Sequence, residues 1–166
     1  MTKSGELIVR PDGERLALDF PARPPEHCQV HPRLIDALGT VPLEILAARD
    51  YLVVYGSEEE VRTLQPNMEL LTQTDRFAVI VTAPGSDGVD FVSRFFAPAK
   101  GVPEDPVTGS AHCTLIPYWS RRLGKDSLHA RQVSPRGGEL WCAHQKDRVL
   151  ICGDAVLYLE GSIRIT

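Results

Sequence analysis

This chain lacks most of the patterns that mark the large functional classes. It has no cluster of lysine or arginine, and its net charge of −4 with a pI near 5.7 argues against a nucleic-acid-binding protein. Its four cysteines show no Cys-x-x-Cys spacing, so neither a zinc site nor a redox motif is expected. Such cysteines are typical of free thiols in a reducing compartment, which favours a cytoplasmic protein. No apolar run approaches the length of a membrane span and the first residues have no apolar core, so we expect no membrane segment and no signal peptide.

Two common enzyme patterns are also missing. No glycine-rich loop ends in Lys-Ser or Lys-Thr, which excludes phosphate binding by a P-loop. The string at residues 108–112, Thr-Gly-Ser-Ala-His, lacks the Gly-x-Ser-x-Gly pattern of a nucleophile elbow. What is present is a chain of 166 residues with 43% hydrophobic and 24% charged side chains, which is enough for one core and not for two large domains.

The pattern of apolar runs and turn residues predicts an α+β fold. Residues 7–9 and 16–20 flank Pro-Asp-Gly at 11–13 and are typical of a β-hairpin, and a proline-rich irregular crossing follows at 21–32. Short helices are predicted at residues 33–38 and, capped by Ser57, from residue 58. The apolar runs that we interpret as strands lie at residues 51–55, 77–82, 90–96, 129–133, 139–143, 149–152 and 156–165.

The segment from Ser110 to about Leu123 is predicted to be the one long helix. It is apolar on nearly every side, and a helix of that kind must be surrounded by other structure. We therefore expect a curved mixed sheet, or a barrel, wrapped around this central helix. Pro117 removes one hydrogen bond inside the helix, and Gly124 ends it.

The mouth of this helix concentrates groups suited to a small anion. Gly109 and Ser110 open the helix and present backbone N–H groups and a hydroxyl, with Asp105 just before them. Two simpler interpretations stay open at this stage. Asp105 is also typical of a carboxylate that bonds backbone N–H groups in an Asp-Pro turn, and Thr108 or Ser110 is also typical of a helix N-cap.

Three further residues have competing interpretations. His112 is a candidate acid or base, and the alternative is that it packs or bonds locally in the first turn. Arg136, beside Gly137, is a candidate partner for a substrate carboxylate, although a structural salt bridge is the more frequent role of such an arginine. Arg94 begins a core strand, so we predict a structural role for it.

Four stretches are distinctive when they are read together: residues 94–98 with Gly101, residues 104–112, residues 117–119 and residues 132–140. They resemble the C-terminal half of phenazine-biosynthesis PhzF-like proteins, which have the diaminopimelate-epimerase-like fold. Residues 2–7 and 19–22 resemble the middle of that family's chain, so the similarity runs along the whole sequence. The string Asp-Pro-Val-Thr-Gly-Ser-Ala-His at 105–112 is its most specific part.

The resemblance implies a fold of two similar halves, each a curved sheet around a central helix, with the active site in the cleft between them. It implies isomerisation by proton transfer on a small substrate that bears a carboxylate, without a cofactor or a metal. In the family a glutamate of the N-terminal half carries the proton. Carried over by motif, the resemblance makes Asp105 and Ser110 catalytic and gives as substrate-binding residues Thr108, Gly109, Ser110, Ala111, His112, Arg136 and Gly137.

The sequence also departs from the family pattern. It holds no Cys-Gly-His-Ala-Thr-like segment and no glutamate in a context like the catalytic one. We therefore expect residues 1–22 to be hairpin strands from the end of a missing N-terminal half, and residues 23–166 to form the C-terminal epimerase-like domain. The two-thiol mechanism of diaminopimelate epimerase is not expected, because Cys113 falls inside the helix and no partner thiol is visible.

Two hypotheses follow for function. In the first, the chain is the C-terminal half of a PhzF-like isomerase and a segment absent here supplies the proton-carrying glutamate. In the second, it is a non-catalytic standalone half-domain that binds a ligand or forms a homodimer, because a half fold leaves strands and a cleft face without neighbours. The expected partners are a small carboxylate-containing molecule and either a complementing N-terminal half or a second copy, with no nucleic acid and no membrane.

Overall fold

A computed structural model describes residues 7–164 of the chain. The helices and strands, numbered in chain order, are β1 (Ile8–Asp12), β2 (Arg15–Pro21), β3 (Glu26–His27), α1 (Pro32–Leu38), β4 (Glu44–Ala47), β5 (Tyr51–Val54), α2 (Glu58–Thr63), α3 (Met68–Leu71), β6 (Val79–Pro84), β7 (Phe91–Ala97), β8 (Val102–Asp105), α4 (Gly109–Leu123), β9 (Ser127–Gln132), β10 (Gly138–Gln145) and β11 (Arg148–Asp154). A single 3₁₀ turn, Pro98–Lys100, joins β7 to β8.

All eleven strands of this part of the chain form one mixed sheet. Its order is β1-β2-β11-β10-β9-β7-β6-β5-β4-β3, with β8 added beside β7. The pairs β5–β6 and β7–β9 are parallel, and the others are antiparallel. The predicted α+β class and mixed sheet are confirmed. The barrel alternative is wrong, because the described strands run from β1 to β3 as an open path.

The sheet buries apolar side chains on both faces where β5, β6 and β7 lie. Successive residues of a strand point to opposite faces. Leu52 of β5 therefore belongs to the same core cluster as Leu115 of α4. Val53, the next residue, packs instead with Leu34 of α1 and Val61 of α2. This part of the molecule has three layers, with α4 on one face and the short helices on the other.

Helix α4 begins and ends close to the predicted bounds and is the longest helix among residues 7–164. Every residue from 111 to 120 is buried, as expected for a helix that is apolar on most sides. Pro117 has no N–H to donate to the carbonyl of Cys113 four residues earlier. That carbonyl accepts the backbone N–H of Arg23 instead, at 2.8 Å, so the proline-rich crossing after β2 is held against the helix.

Several local predictions are confirmed and two are corrected. The hairpin β1–β2 turns at Gly13, which has φ +61°, and α1 ends at Gly39 in the left-handed region. Strands β3, β4 and β8 and the short helix α3 were not predicted from the sequence. The strand predicted at 156–165 is wrong as far as residue 164, because residues 155–164 form no regular structure. Residues 2–6 of the family resemblance and residue 165 lie outside the described part of the chain.

Candidate functional site

The first turn of α4 leaves backbone donors open. Thr108 occupies the N-cap position with extended backbone, yet its side chain makes no capping bond and its hydroxyl donates to Oδ2 of Asp105. Within residues 7–164, the backbone N–H groups of Gly109 and Ser110 donate to no acceptor. Free N–H groups at the positive end of a helix attract an anion. The predicted anion-binding groups are therefore in place, and the Thr108 hydroxyl does not cap the helix.

Gln132, at the end of β9, holds the loop that leads into α4. Its side chain is fully buried, and Oε1 accepts the backbone N–H of Thr108 at 2.8 Å. Its Nε2 donates to the carbonyl of Asp105 at 2.7 Å and to Oγ1 of Thr108 at 3.1 Å. Because Oγ1 accepts from Gln132, the hydroxyl proton of Thr108 is directed at Asp105. One buried amide thus sets the direction of the whole chain of hydrogen bonds.

Asp105 is half-buried and keeps one carboxylate oxygen available. Its Oδ2 accepts from the Thr108 hydroxyl, while its Oδ1 accepts no hydrogen bond from residues 7–164. The carboxylate thus bonds a hydroxyl and no backbone N–H group, unlike the simple Asp-Pro turn. Oδ1 remains free to accept a proton or a hydrogen bond from a ligand.

The structural role predicted for Arg94 is confirmed, and it supports the same loop. The guanidinium makes a two-pronged ion pair with Glu104, with Nε–Oε1 at 2.7 Å and Nη2–Oε2 at 3.0 Å. Its Nη1 donates to the backbone carbonyls of Val61 and Leu64. Arg94 therefore links Glu104, the residue of β8 just before Asp105, to the end of α2.

Ala111 and His112 lie behind the helix mouth in the core. Ala111 is 1% exposed and His112 is completely buried, with Nδ1 at 2.8 Å from the carbonyl of Thr108. Burial lowers the pKa of His112 to about 4, against the opposing effect of that hydrogen bond. Its ring is neutral near pH 7 and bonds locally to the Thr108 carbonyl. Direct contact of either residue with a substrate stays a prediction.

Ser110 faces a small cavity on one side of the helix mouth. The Nη2 of Arg49 donates to its Oγ at 3.2 Å, and the same guanidinium pairs with Asp50 through Nε–Oδ1 at 3.0 Å and Nη2–Oδ2 at 2.8 Å. The cavity has a volume of about 90 Å³ and is lined by Leu7, Phe20, Pro21, Arg23, Arg49, Ser110 and Cys113.

Gly109 faces a larger cavity of about 480 Å³ on the other side. Its wall includes Arg136 and Gly137, and Gly138 packs so closely on Val107 that a Cβ there would meet Cγ2 at 2.5 Å. Gly137 has φ +68° and donates its N–H to the hydroxyl of Ser134 at 3.1 Å. The volume lies within the range of small-molecule sites.

Arg136 is exposed and makes no ion pair with any of residues 7–164, so the structural salt bridge that we considered for it is absent there. Its guanidinium is available to a ligand in the larger cavity.

The structure thus brings six predicted residues to the helix mouth and its two cavities and leaves Ala111 and His112 behind it. The six are Asp105, Thr108, Gly109, Ser110 and, across the larger cavity, Arg136 and Gly137. Two residues of the site were missed, Arg49 and Gln132. Gln132 stands in one of the stretches that carry the family resemblance. Arg49 gave only a weak signal, as an Arg-Asp pair before a buried strand.

Residues 7–164 contain no group of three or more His, Cys, Asp or Glu side chains placed to hold a metal ion. In the same part of the chain, no helix is long and apolar enough to cross a membrane.

The sequence matches a known protein family over most of its length. Residues 26–161 match the family described as phenazine biosynthesis-like protein (PhzC-PhzF). An uncharacterized isomerase of Pseudomonas aeruginosa is 52% identical over 167 residues, which cover 100% of this chain and 64% of the relative. A human phenazine biosynthesis-like domain-containing protein is 40% identical over 98% of this chain and 64% of its own length.

Solved structures agree with this match. A PhzF-family protein of Enterococcus faecalis superimposes with a TM-score of 0.88 at 45% identity, covering 98% of this chain and 63% of that one. A PhzF-family protein of Bacillus anthracis, at 15% identity and a TM-score of 0.66, shares the fold. The chain spans slightly less than two thirds of the length of each of these four proteins.

Proposed function

Because this chain belongs to the phenazine biosynthesis-like (PhzC-PhzF) family, we propose that it forms part of an isomerase that moves a proton on a small carboxylate-bearing substrate without a cofactor. The observation that carries the proposal is the pairing of a free carboxylate oxygen, Oδ1 of Asp105, with the open N–H groups of Gly109 and Ser110. One group accepts a proton or a hydrogen bond, and the others bind negative charge. The isomerase names of several relatives support the reaction class.

The residues of this chain would divide the work as follows. The N–H groups of Gly109 and Ser110 bind the substrate carboxylate, or the negative charge that develops when a neighbouring C–H bond is broken. The proton leaves one carbon and returns to another, so the reaction needs neither oxidant nor reductant. Asp105 orients a donor group of the substrate through Oδ1, and a second acid outside this chain carries the proton.

We propose that the chain corresponds to the C-terminal part of its relatives, with the sheet wrapped around α4 and the site completed by the uncovered part. More than a third of each relative's length lies outside the match, which supports a site completed by a part beyond this chain. The division of the chain at residue 22 stays a prediction. Strand β2 pairs with β11 from Arg15 to Pro21, so these residues belong to the same sheet as the rest.

Deuterium exchange tests this function without knowledge of the substrate. Small unsaturated and aromatic carboxylic acids are incubated in D₂O with this chain, with and without the part of the Pseudomonas relative outside the match, and carbon-bound protons are followed by NMR. We expect exchange in the complemented sample and its loss in Asp105→Asn. Exchange that persists in Asp105→Asn, or its absence with every acid in the complemented sample, would contradict the proposal.

A second candidate is a half-domain that binds a ligand or pairs with a copy of itself and has no catalysis. The observation that favours it is unpaired surface: all five residues of β1 are exposed, and Val156, Tyr158 and Ile163 are each more than 90% exposed. At micromolar concentration, a sedimentation mass of about 37 kDa, twice that of one chain of 18.3 kDa, is expected for this homodimer. A mass of 18.3 kDa would exclude it.

We also propose a cytoplasmic location and partners limited to a small carboxylate and the complementing segment or copy. The four cysteines support the location, since all are free thiols.

A further inference from the structure

We propose that Arg23 and Arg49, together with Ser110, form a dedicated site for one carboxylate group, separate from the larger cavity beside Gly109. The proposal rests on the proposed function only in the choice of a carboxylate as the ligand. Four features of the small cavity carry it: its size, its charge, an unpaired buried nitrogen and the direction of the Ser110 hydroxyl.

The size of the cavity restricts what it accepts. A volume of about 90 Å³ equals roughly three water molecules at about 30 Å³ each. That space holds a single carboxylate and no aromatic ring. Phe20 lines this cavity, and its Cε2 also lies 3.5 Å from the position that a Cβ on Gly109 would take.

The charge of the cavity is unbalanced. Arg49 is compensated by Asp50, whose side chain is 1% exposed and which accepts both prongs of the guanidinium. Within residues 7–164, Arg23 makes no ion pair and no acid lines the cavity. One positive charge is left without a partner beside a partly enclosed space, which favours binding of one anion.

An unpaired atom points to the same conclusion. The Nη1 of Arg23 is buried and has no hydrogen-bond partner. A buried guanidinium nitrogen without an acceptor is costly, and a carboxylate satisfies it with a charge-assisted bond. Burial raises the pKa of the Cys113 thiol while Arg23 and Arg49 both oppose that rise, so the two guanidinium groups lie near one thiol on the cavity wall.

Ser110 supplies a neutral donor to the same point. Its Oγ accepts from Arg49, so the hydroxyl proton is free to donate to a ligand. The site then offers the fork of Arg23, the remaining N–H groups of Arg49 and one hydroxyl. Planar forks of this kind match a planar carboxylate.

The test uses NMR of the intact chain in chloride-free buffer, with acetate, benzoate and inorganic phosphate as probes. Each anion is titrated into the protein while the Arg23 Nε–H and Ser110 amide signals are recorded. Shifts of these two signals locate the bound anion in the wild type, before any variant is made. Arg23→Gln removes the charge, Arg23→Lys keeps it without the fork, and Arg33→Gln is the matched control, since Arg33 is exposed on α1 and its side chain makes no ion pair with residues 7–164. Urea unfolding confirms that each variant is folded.

We expect acetate and benzoate to shift the Arg23 and Ser110 signals in the wild type. Binding should weaken at least about tenfold in Arg23→Gln, less in Arg23→Lys and less than about twofold in Arg33→Gln. Three results would overturn the proposal: shifts confined to Gly137 and Gly138, binding unaffected by Arg23→Gln, or binding of phosphate without either carboxylate.

These outcomes are independent of the isomerase test. Carboxylate binding that needs Arg23, in a protein that never exchanges protons, would leave the binding site standing and remove the proposed function. Proton exchange that is unchanged in Arg23→Gln would leave the proposed function standing and remove the binding site.

Discussion

The two sides of the first turn of α4 differ in how completely their hydrogen bonds are satisfied. On the closed side, which comprises Asp105, Thr108, His112 and Gln132, protein groups bond one another in a fixed direction, although Nε2 of the buried His112 ring has no partner. On the open side, which comprises Arg23, Arg49 and Ser110, donors outnumber acceptors and a buried nitrogen has no partner. The same helix end therefore carries a largely satisfied network on one side and a surplus of charged donors on the other.

This difference suits the closed side to positioning Asp105 and the open side to binding a ligand. A carboxylate that must act on a reacting proton has to be held in advance, since a small displacement is costly for the rate. The closed side does this for Asp105. Groups that bind a ligand must instead keep hydrogen-bonding capacity for it, and the open side has that capacity. Substitutions on the closed side should therefore change stability, and those on the open side should change binding.

The largest effect is expected for Gln132→Leu. This change keeps the approximate volume but leaves the Thr108 N–H and the Asp105 carbonyl buried without their partner. We expect the free energy of unfolding, measured in urea, to fall by about 3–5 kcal/mol. Gln145→Leu, at an exposed position of β10, is the control and should change stability by less than about 0.5 kcal/mol. A loss below about 1 kcal/mol in Gln132→Leu would mean that the closed side is not held by this amide.

The pH dependence of stability tests the second member of the closed side. The folded-state pKa of His112 is about 4 and its unfolded value is 6.5, so the unfolded chain binds the proton more tightly. The stability contribution is complete above pH 6.5 and is lost as the pH falls toward 4, by about 3 kcal/mol. Urea unfolding across this window should show the slope in the wild type and in His144→Asn, and a flatter profile in His112→Asn. Equal slopes in all three would contradict the burial of a neutral ring.

A smaller effect is expected in the wall of the larger cavity. Gly138→Ala places a Cβ 2.5 Å from Val107 and should cost about 1–3 kcal/mol of unfolding free energy. Gly153→Ala lies in the same wall and meets no atom within 4 Å, so it should be close to neutral. Adding Val107→Ala should recover part of the stability lost in Gly138→Ala. If the two changes in unfolding free energy simply add, the new methyl group does not clash with Val107.

The smallest change in stability is expected for Ser110→Ala, on the open side. Only the bond from Arg49 is lost, so unfolding free energy should fall by less than about 1 kcal/mol. Binding of anthranilate-like acids, measured by calorimetry, should weaken by about 1–3 kcal/mol. The exposed Ser127→Ala serves as control for both measurements. A large loss of stability with unchanged binding would reverse the comparison.

The sequence predicted local features well because local chemistry determines them. The β1–β2 hairpin, helix α1 with Gly39 and the bounds of α4 each depend on residues within one turn of the feature. Strand β4 is only four residues long and has no turn signal of its own, so it was missed. The apolar run at 156–165 was interpreted as a strand, yet a strand also needs a partner, and none of residues 7–164 supplies one there.

The site was predictable in part for the same reason. Gly109 and Ser110 follow from the helix mouth itself. Arg49 reaches Ser110 from the segment between β4 and β5, and Gln132 reaches Thr108 from the end of β9, so both contacts exist only once the sheet has formed. No spacing of residues in the sequence predicts such long-range contacts. The family resemblance included Gln132 in its stretches but gave no role to it.

The hydrogen bond from Arg23 to the carbonyl of Cys113 has a consequence for how the chain assembles. Because Pro117 has no N–H, α4 lacks one of its own backbone hydrogen bonds at the carbonyl of Cys113. The N–H of Arg23, from much earlier in the chain, supplies that bond instead. The proline-rich crossing and α4 therefore stabilise each other through one backbone bond. The same bond fixes the backbone of Arg23, whose side chain lines the small cavity.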